Sequence, residues 1–400
     1  MKKSTLLACL YYSFVDYLSF FIVTALFTPL ILAQNSLYKD PLGIMKEPEV
    51  LLGVILGAYG LGLFLGSPLL GRWSDHYNRK SALQFSMAIY VLGNIGVGYF
   101  FSVANVWMII LFRLITGLGS SGAQLLYNVV QDLEPVEKLR GKAMGYLVAV
   151  SSFATVIGPA FGSFFAGDKG LELAIPFFVL AFMGGSSLLI NKICLPENKS
   201  VDKRRKESFF EVFSQTEILV VALCFFLFIL NIESIFVAIP IVMVMGFNVT
   251  SDWIALFFGY GGLVSVFAGT FVIPWMSRFF SVRLAFLTSL LGTALSVFSF
   301  FLVSTPEELF APFTFFAIFA TVAWSKGNEL AVAIPDKKNT GVVMGIFGSL
   351  IAIAVLLASV SMGYLAAFNS LLPLLTISIL AVLNLVVAFL GYQKLVVSKK

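Results

Sequence analysis

The sequence predicts an all-α polytopic membrane protein with twelve transmembrane helices. Three observations carry this reading. The chain is 59% hydrophobic and 12% charged, against about 25% charged in an average soluble domain. A water-soluble fold of 400 residues could not hide that much apolar surface. The apolar residues gather into runs near the length of about twenty that a helix needs to cross a bilayer. These runs do not alternate polar and apolar residues, which excludes a closed barrel, and in lipid every backbone amide must then be satisfied inside a helix.

The candidate helices fall near 5–33, 50–70, 81–101, 105–130, 143–166, 173–194, 218–244, 252–275, 283–303, 309–332, 342–367 and 371–393. Met1-Lys2-Lys3 before the first run imitates a signal peptide. A run of 29 residues exceeds the usual signal core of about 7–15, so it reads as a retained first helix. The dense polar run Gly71–Lys80 separates the second and third helices, while the third and fourth form a tight hairpin.

Charge orients the bundle. With both termini cytoplasmic, inner segments hold 21 of the 26 Lys and Arg residues, and outer segments hold only Lys39, Lys46 and Lys169. That asymmetry satisfies the positive-inside rule. The net charge of +5 therefore reports topology. Spread over several loops, it does not point to nucleic acid. Cys9, Cys194 and Cys224 lie in or near spans and imply no disulfide framework. No zinc spacing, P-loop or nucleophile–base constellation is visible. The expectation is a protein that is not an enzyme and uses no cofactor or metal.

A shift of 200 residues aligns Asn128 with Asn328, Pro135 with Pro335, Lys138 with Lys338, Gly141 with Gly341, Met144 with Met344 and Gly145 with Gly345. The chain thus reads as two related halves. Residues 1–195 form an N-terminal six-helix bundle and 218–400 a C-terminal one, joined by a charged cytoplasmic linker at 196–217.

Ionisable residues inside the spans are costly and mark function by default. Asp16 lies in helix 1, Arg113 in helix 4, Glu233 in helix 7, and Lys326 with Glu329 in helix 10. Lys326 and Glu329 are three apart and can pair on their own helix. A buried carboxylate such as Asp16 or Glu233 can take a proton from one side and release it when water or a cationic substrate arrives, so these five residues are the proton-coupling or cavity candidates. Gln124, Tyr127 and Asn128 share one face of helix 4. With Asn231 and Asn328 they are the substrate-binding candidates.

Gly71, Ser74, Asp75, Tyr77, Arg79 and Lys80 stand in the register of the loop between helices 2 and 3 of major facilitator superfamily transporters. The run resembles that loop, departing at His76 and at Asn78, where the family has glycine. Asn is the mildest replacement if a left-handed backbone is needed there. Asp16 followed by Pro29 is similar to tetracycline-efflux members, although Leu26 stands where they carry a further proline. Arg113-Leu114-Ile115-Thr116-Gly117 resembles the family's Arg-x-x-x-Gly motif, with Asp132 at the matching inner end. Gly145, Gly158, Pro159 and Gly162 resemble the antiporter motif of helix 5, with Ala154 and Ser163 in place of two glycines. Pro159 is expected to kink that helix.

The resemblance implies parallel six-helix halves rocking about a central site lined by helices 1, 4, 7 and 10. It further implies a gate in which Asp75, with Arg79 and Lys80 beside it, meets Arg140 or the start of helix 11. The function expected is a secondary active carrier, a proton antiporter exporting a small organic compound from a bacterial inner membrane. A symporter or facilitator importing a nutrient is the second reading, and a non-transporting receptor or scaffold the third. The expected partners are protons, a small-molecule substrate and the lipid bilayer, with the protein a monomer.

Overall fold

The computed structural model describes residues 2–33, 36–76, 78–133, 137–166, 170–197, 216–333 and 340–391, with some side chains inside the helices also left out of the description. Among the described residues, twelve helical spans are long and apolar enough to cross a membrane. In chain order, spans 1 to 6 are Lys3–Leu32, Pro48–Ser74, Arg79–Ser102, Val106–Tyr127, Gly145–Phe165 and Glu172–Cys194. Spans 7 to 12 are Leu219–Phe247, Ser251–Phe279, Val282–Leu302, Glu307–Leu330, Phe347–Phe368 and Leu372–Leu390.

Local chemistry sets the helix ends. Asn78 accepts from the backbone N–H groups of Lys80 and Ser81 and caps span 3, Asn105 caps span 4 through Met108, and Ser281 caps span 9 through Leu284. Each cap satisfies an amide that has no partner within its helix. Proline opens the helices at Ile175 and Leu372, where its missing N–H costs nothing. Spans 3 and 4 turn over at Val103–Asn105, with Ala104 at φ 53°.

Four features differ from the sequence reading. The helix of span 2 continues to His76, so most of the polar run is helical rather than loop. Asn78 is extended, with φ −170°, and acts as a cap, so no left-handed residue is needed there. Span 4 is broken at Ser121-Gly122 into Val106–Ser120 and Ala123–Leu133, because the small residues around the break cannot enforce one straight helix. Span 8 carries a π-helical stretch at Ala268–Val272 before Ile273–Phe279. The linker from 198 to 215 lies outside the described residues.

Spans 1 to 6 pack mainly as 1 on 5, 2 on 4, 3 on 4 and 3 on 6. Spans 7 to 12 pack mainly as 9 on 10, 7 on 11, 7 on 12 and 9 on 12. Three main seams join the sets: 2 with 11, 5 with 8, and 1 with 7. Glycine makes two of the seams close. A side chain at Gly53 or Gly60 would strike the backbone of Ser359 or Leu356, and one at Gly363 would strike the Glu49 carbonyl. A side chain at Gly262 would strike Val156. Such small-residue contacts let helix backbones approach in lipid. At the third seam, the rings of Phe21 and Phe236 lie 5.7 Å apart. Gly53 is near the start of span 2 and Gly363 near the end of span 11, so the first seam is sealed at the end of the bundle that carries residues 36–47.

Candidate functional site: an ionisable mid-bundle cavity

A cavity lies midway through the bundle, lined by Phe20, Thr24, Leu56, Arg113, Glu233, Phe236, Val237, Val355 and Ser359. These side chains come from spans 1, 2, 4, 7 and 11, so both sets of helices contribute. The space open to a water centre is about 20 Å³, enough for roughly one water. The site is therefore closed around its own side chains.

Arg113 is placed by the packing of span 4 on span 2. A methyl group at Gly117 would collide with the carbonyl oxygen of Tyr59, so glycine four residues after the arginine brings the two backbones together. That approach seats the Arg113 guanidinium over the Tyr59 ring, its Cζ 4.6 Å from the ring centroid. Arg113 is 2% exposed, and its Nε and Nη1 have no acceptor.

Asp16 sits on span 1 at the break in span 4. It is 5% exposed, and its Oδ1 has no donor. Ser120 Oγ stands close to both Asp16 and Tyr59 but makes no hydrogen bond of good geometry. Hydroxyl groups fix the surroundings. Ser86 donates to the Gly119 carbonyl, which uses its only hydrogen, so the Tyr12 hydroxyl donates to Ser86 Oγ at 2.8 Å. Tyr90 donates to the Val15 carbonyl at 2.8 Å, and Ser19 donates to Asn94 Oδ1 at 3.3 Å. Gly122 leaves no room for a side chain beside Tyr12 and Ser86. Glu233, partly buried, faces the cavity together with Phe236 and Val237 of its own helix.

Tyr59 links the group. It is buried, and it lies within electrostatic range of Asp16, Arg113 and Glu233. Its ring also contacts Phe20, with centroids 5.6 Å apart. Sequence reading missed Tyr59, one of 13 tyrosines with no charge to mark it. The flanking Gly57 and Gly60 were the available signal.

Other candidates stand elsewhere. Lys326 is 5% exposed and donates to Glu329 Oε2 at 2.8 Å and to Ser277 Oγ at 2.9 Å, bracing span 10 against the end of span 8. The pair does not line the central cavity. Asn231 Nδ2 donates to the Ile377 carbonyl of span 12 at 2.8 Å, turning away from that cavity. Asn328 bonds the Trp324 carbonyl of its own helix. Tyr127 packs against an apolar cluster containing Tyr12 and Leu126. The side chains of Gln124, Asn128, Asp75, His76 and Arg140 lie outside the described residues. Arg79 Nη1 donates to Ser74 Oγ at 3.2 Å, and Lys80 lines a shallow groove with Leu83 and Leu133 at the same end. On span 5, Gly158 admits Phe21 and Gly162 admits the Ile22 carbonyl, with Pro159 buried between them. Gly145 is exposed and touches nothing within 4 Å. Among the described residues, no group of three or more His, Cys, Asp and Glu could hold a metal.

Twelve spans in two packed sets around a shared ionisable cavity define a polytopic membrane protein. Residues 10–279 match the Major Facilitator Superfamily, and the chain belongs to that superfamily. It is 28% identical over 167 residues to Multidrug resistance protein 2 of Bacillus subtilis (strain 168), covering 41% of this chain and 40% of that protein. It is 28% identical over 165 residues to Tetracycline resistance protein, class E, of Escherichia coli, covering 41% and 39%. The matched segments thus span about two-fifths of these relatives. The fold is similar to the human organic anion transporter MFSD10 (TETRAN), with TM-score 0.74, 18% identity and coverage of 97% of this chain and 100% of that one. It is also similar to a D-xylose-proton symporter, with TM-score 0.70, 14% identity and coverage of 99% and 97%.

Proposed function

We propose that the protein is a proton-coupled antiporter that exports a small organic compound by alternating access. One observation carries the reading: Arg113 from the first half and Glu233 from the second line one closed cavity, Asp16 lies beside it within electrostatic range of Tyr59, and Asp16 Oδ1 and Arg113 Nε and Nη1 are unpartnered. Unpaired charge buried in this way is expensive, so the cluster favours whatever neutralises it. A proton on a carboxylate does so, and a bound substrate with complementary polar groups does so too. Competition between the two couples their movements in opposite directions. The names of the multidrug and tetracycline resistance relatives support export.

With the positive-inside rule placing both termini in the cytoplasm, the sealed end bearing residues 36–47 faces outward. The halves, 1–195 and 218–400, then rock about the seams, with 196–217 as the cytoplasmic linker. Asp75 with Arg79, Lys80 and Arg140 forms the inner gate. Lys326 and Glu329 act as a strut between spans 8 and 10. A bacterial inner membrane is the proposed location.

The test imposes an inward proton gradient on proteoliposomes of known orientation loaded with substrate panels. Proton-driven counterflow supports the antiporter. Co-movement of proton and solute, or solute flux indifferent to the gradient, overturns it in favour of a symporter or facilitator.

A further inference from the structure

We propose that the central cavity, once the halves open it beyond the one-water space of this closed form, takes an aromatic organic anion, its acidic group received by Arg113 and its ring packed against Phe20 and Phe236. The inference rests on the reading of this cavity as the transport site, but not on which ion drives transport.

The argument begins with Arg113. Its guanidinium lines the cavity and is 98% buried by difference from its 2% exposure. The Tyr59 ring covers one face, which leaves the N–H edges to be satisfied. Neither Asp16 nor Glu233 accepts from Nε or Nη1. A buried guanidinium without an acceptor carries an uncompensated desolvation cost. Planar acidic groups match its donor geometry better than any other small-molecule group.

The rest of the wall restricts the ligand's body. Leu56, Phe236, Val237, Val355 and Phe20 are apolar, and aromatic faces favour a flat ring at stacking distance. Thr24, Glu233 and Ser359 supply the remaining polar edge. A cationic ligand would satisfy a carboxylate yet still leave the Arg113 N–H groups without an acceptor. An anion satisfies them.

The test measures equilibrium binding to the purified full chain at fixed pH, with no gradient. Three isosteric probes are used: 2-naphthoate, 2-naphthamide and 2-naphthylmethylammonium. The naphthoate should bind at least about tenfold more tightly than the other two, as expected for a buried charge pair. Arg113→Gln should erase that preference, and Phe236→Ala should weaken all three probes without reordering them. Equal binding of the three, tighter binding of the ammonium, or binding of none overturns the proposal. If Arg113→Gln does not fold, the ranking on the unaltered protein decides alone. Naphthoate preference without proton-driven exchange leaves this proposal standing and removes the antiporter reading. Proton-driven exchange with an ammonium preference does the reverse.

Discussion

Arg113 lies with its Cζ 4.6 Å from the centroid of the Tyr59 ring, and this contact explains why a glycine follows the arginine by one turn. Gly117 admits the Tyr59 backbone, and that approach brings the ring under the guanidinium. A buried cation–π contact is worth about 2 kcal/mol. Tyr59→Phe keeps the ring and should retain transport. Tyr59→Ala should lower the transport rate by about an order of magnitude. Equal rates for the two variants in counterflow would refute a role for the ring.

Gly117→Ala should be far more damaging than Gly145→Ala. The first places a methyl group against the Tyr59 backbone, whereas the second meets nothing within 4 Å. Overpacking of this kind costs about 1–3 kcal/mol. Thermal unfolding of both variants in detergent gives the comparison. A Gly117→Ala protein as stable as Gly145→Ala would show that the two backbones separate freely.

The seam between spans 2 and 11 predicts a conformational effect. Gly363→Ala sets a side chain against the Glu49 carbonyl and the Gly53 backbone. It should hold the two helices apart at the end bearing residues 36–47. Distances between spin labels placed on spans 2 and 11 near that end should lengthen. Unchanged distances would mean that close glycine contact does not govern the closure.

A loop carboxylate yields a pH prediction. Slight desolvation opposes ionisation of Asp40, but N–H donors from Met45, Leu42 and Ile44, with the Trp107 indole, outweigh it and hold the carboxyl below the ordinary range. A depressed folded-state value means the stabilisation is present above the unfolded pKa of about 3.9 and is lost as pH falls through the lower folded value. Hydrogen exchange at Leu42, Ile44 and Met45 should thus be equally slow, after correction for intrinsic rates, from pH 5 to 8. Asp40→Asn should speed it across that range. Protection that fades between pH 7 and 5 in the unaltered protein would contradict the assignment.

How much of this was legible follows from the signal each residue carries. Arg113, Asp16 and Glu233 stand out because a charge in an apolar run has few bland explanations. The Lys326–Glu329 pair is visible from its spacing, but Ser277, 49 residues away, is not. Asn231 illustrates another limit. Span 7 is apolar on every face, so periodicity cannot choose between the cavity and span 12. Tyr59 had only its flanking glycines to mark it. The break in span 4 was hidden because Ser120, Ser121 and Gly122 barely interrupt the apolar run, although they permit the turn.

The most direct test of the central claim is proton release when substrate binds the purified protein in weakly buffered solution. Once a transported substrate is in hand, its binding should acidify the medium in the unaltered protein, and alkalinisation would contradict the antiporter. Asp16→Asn or Glu233→Gln should reduce the acidification, and the double variant should abolish it while still binding substrate. A full proton signal from the double variant would contradict the account.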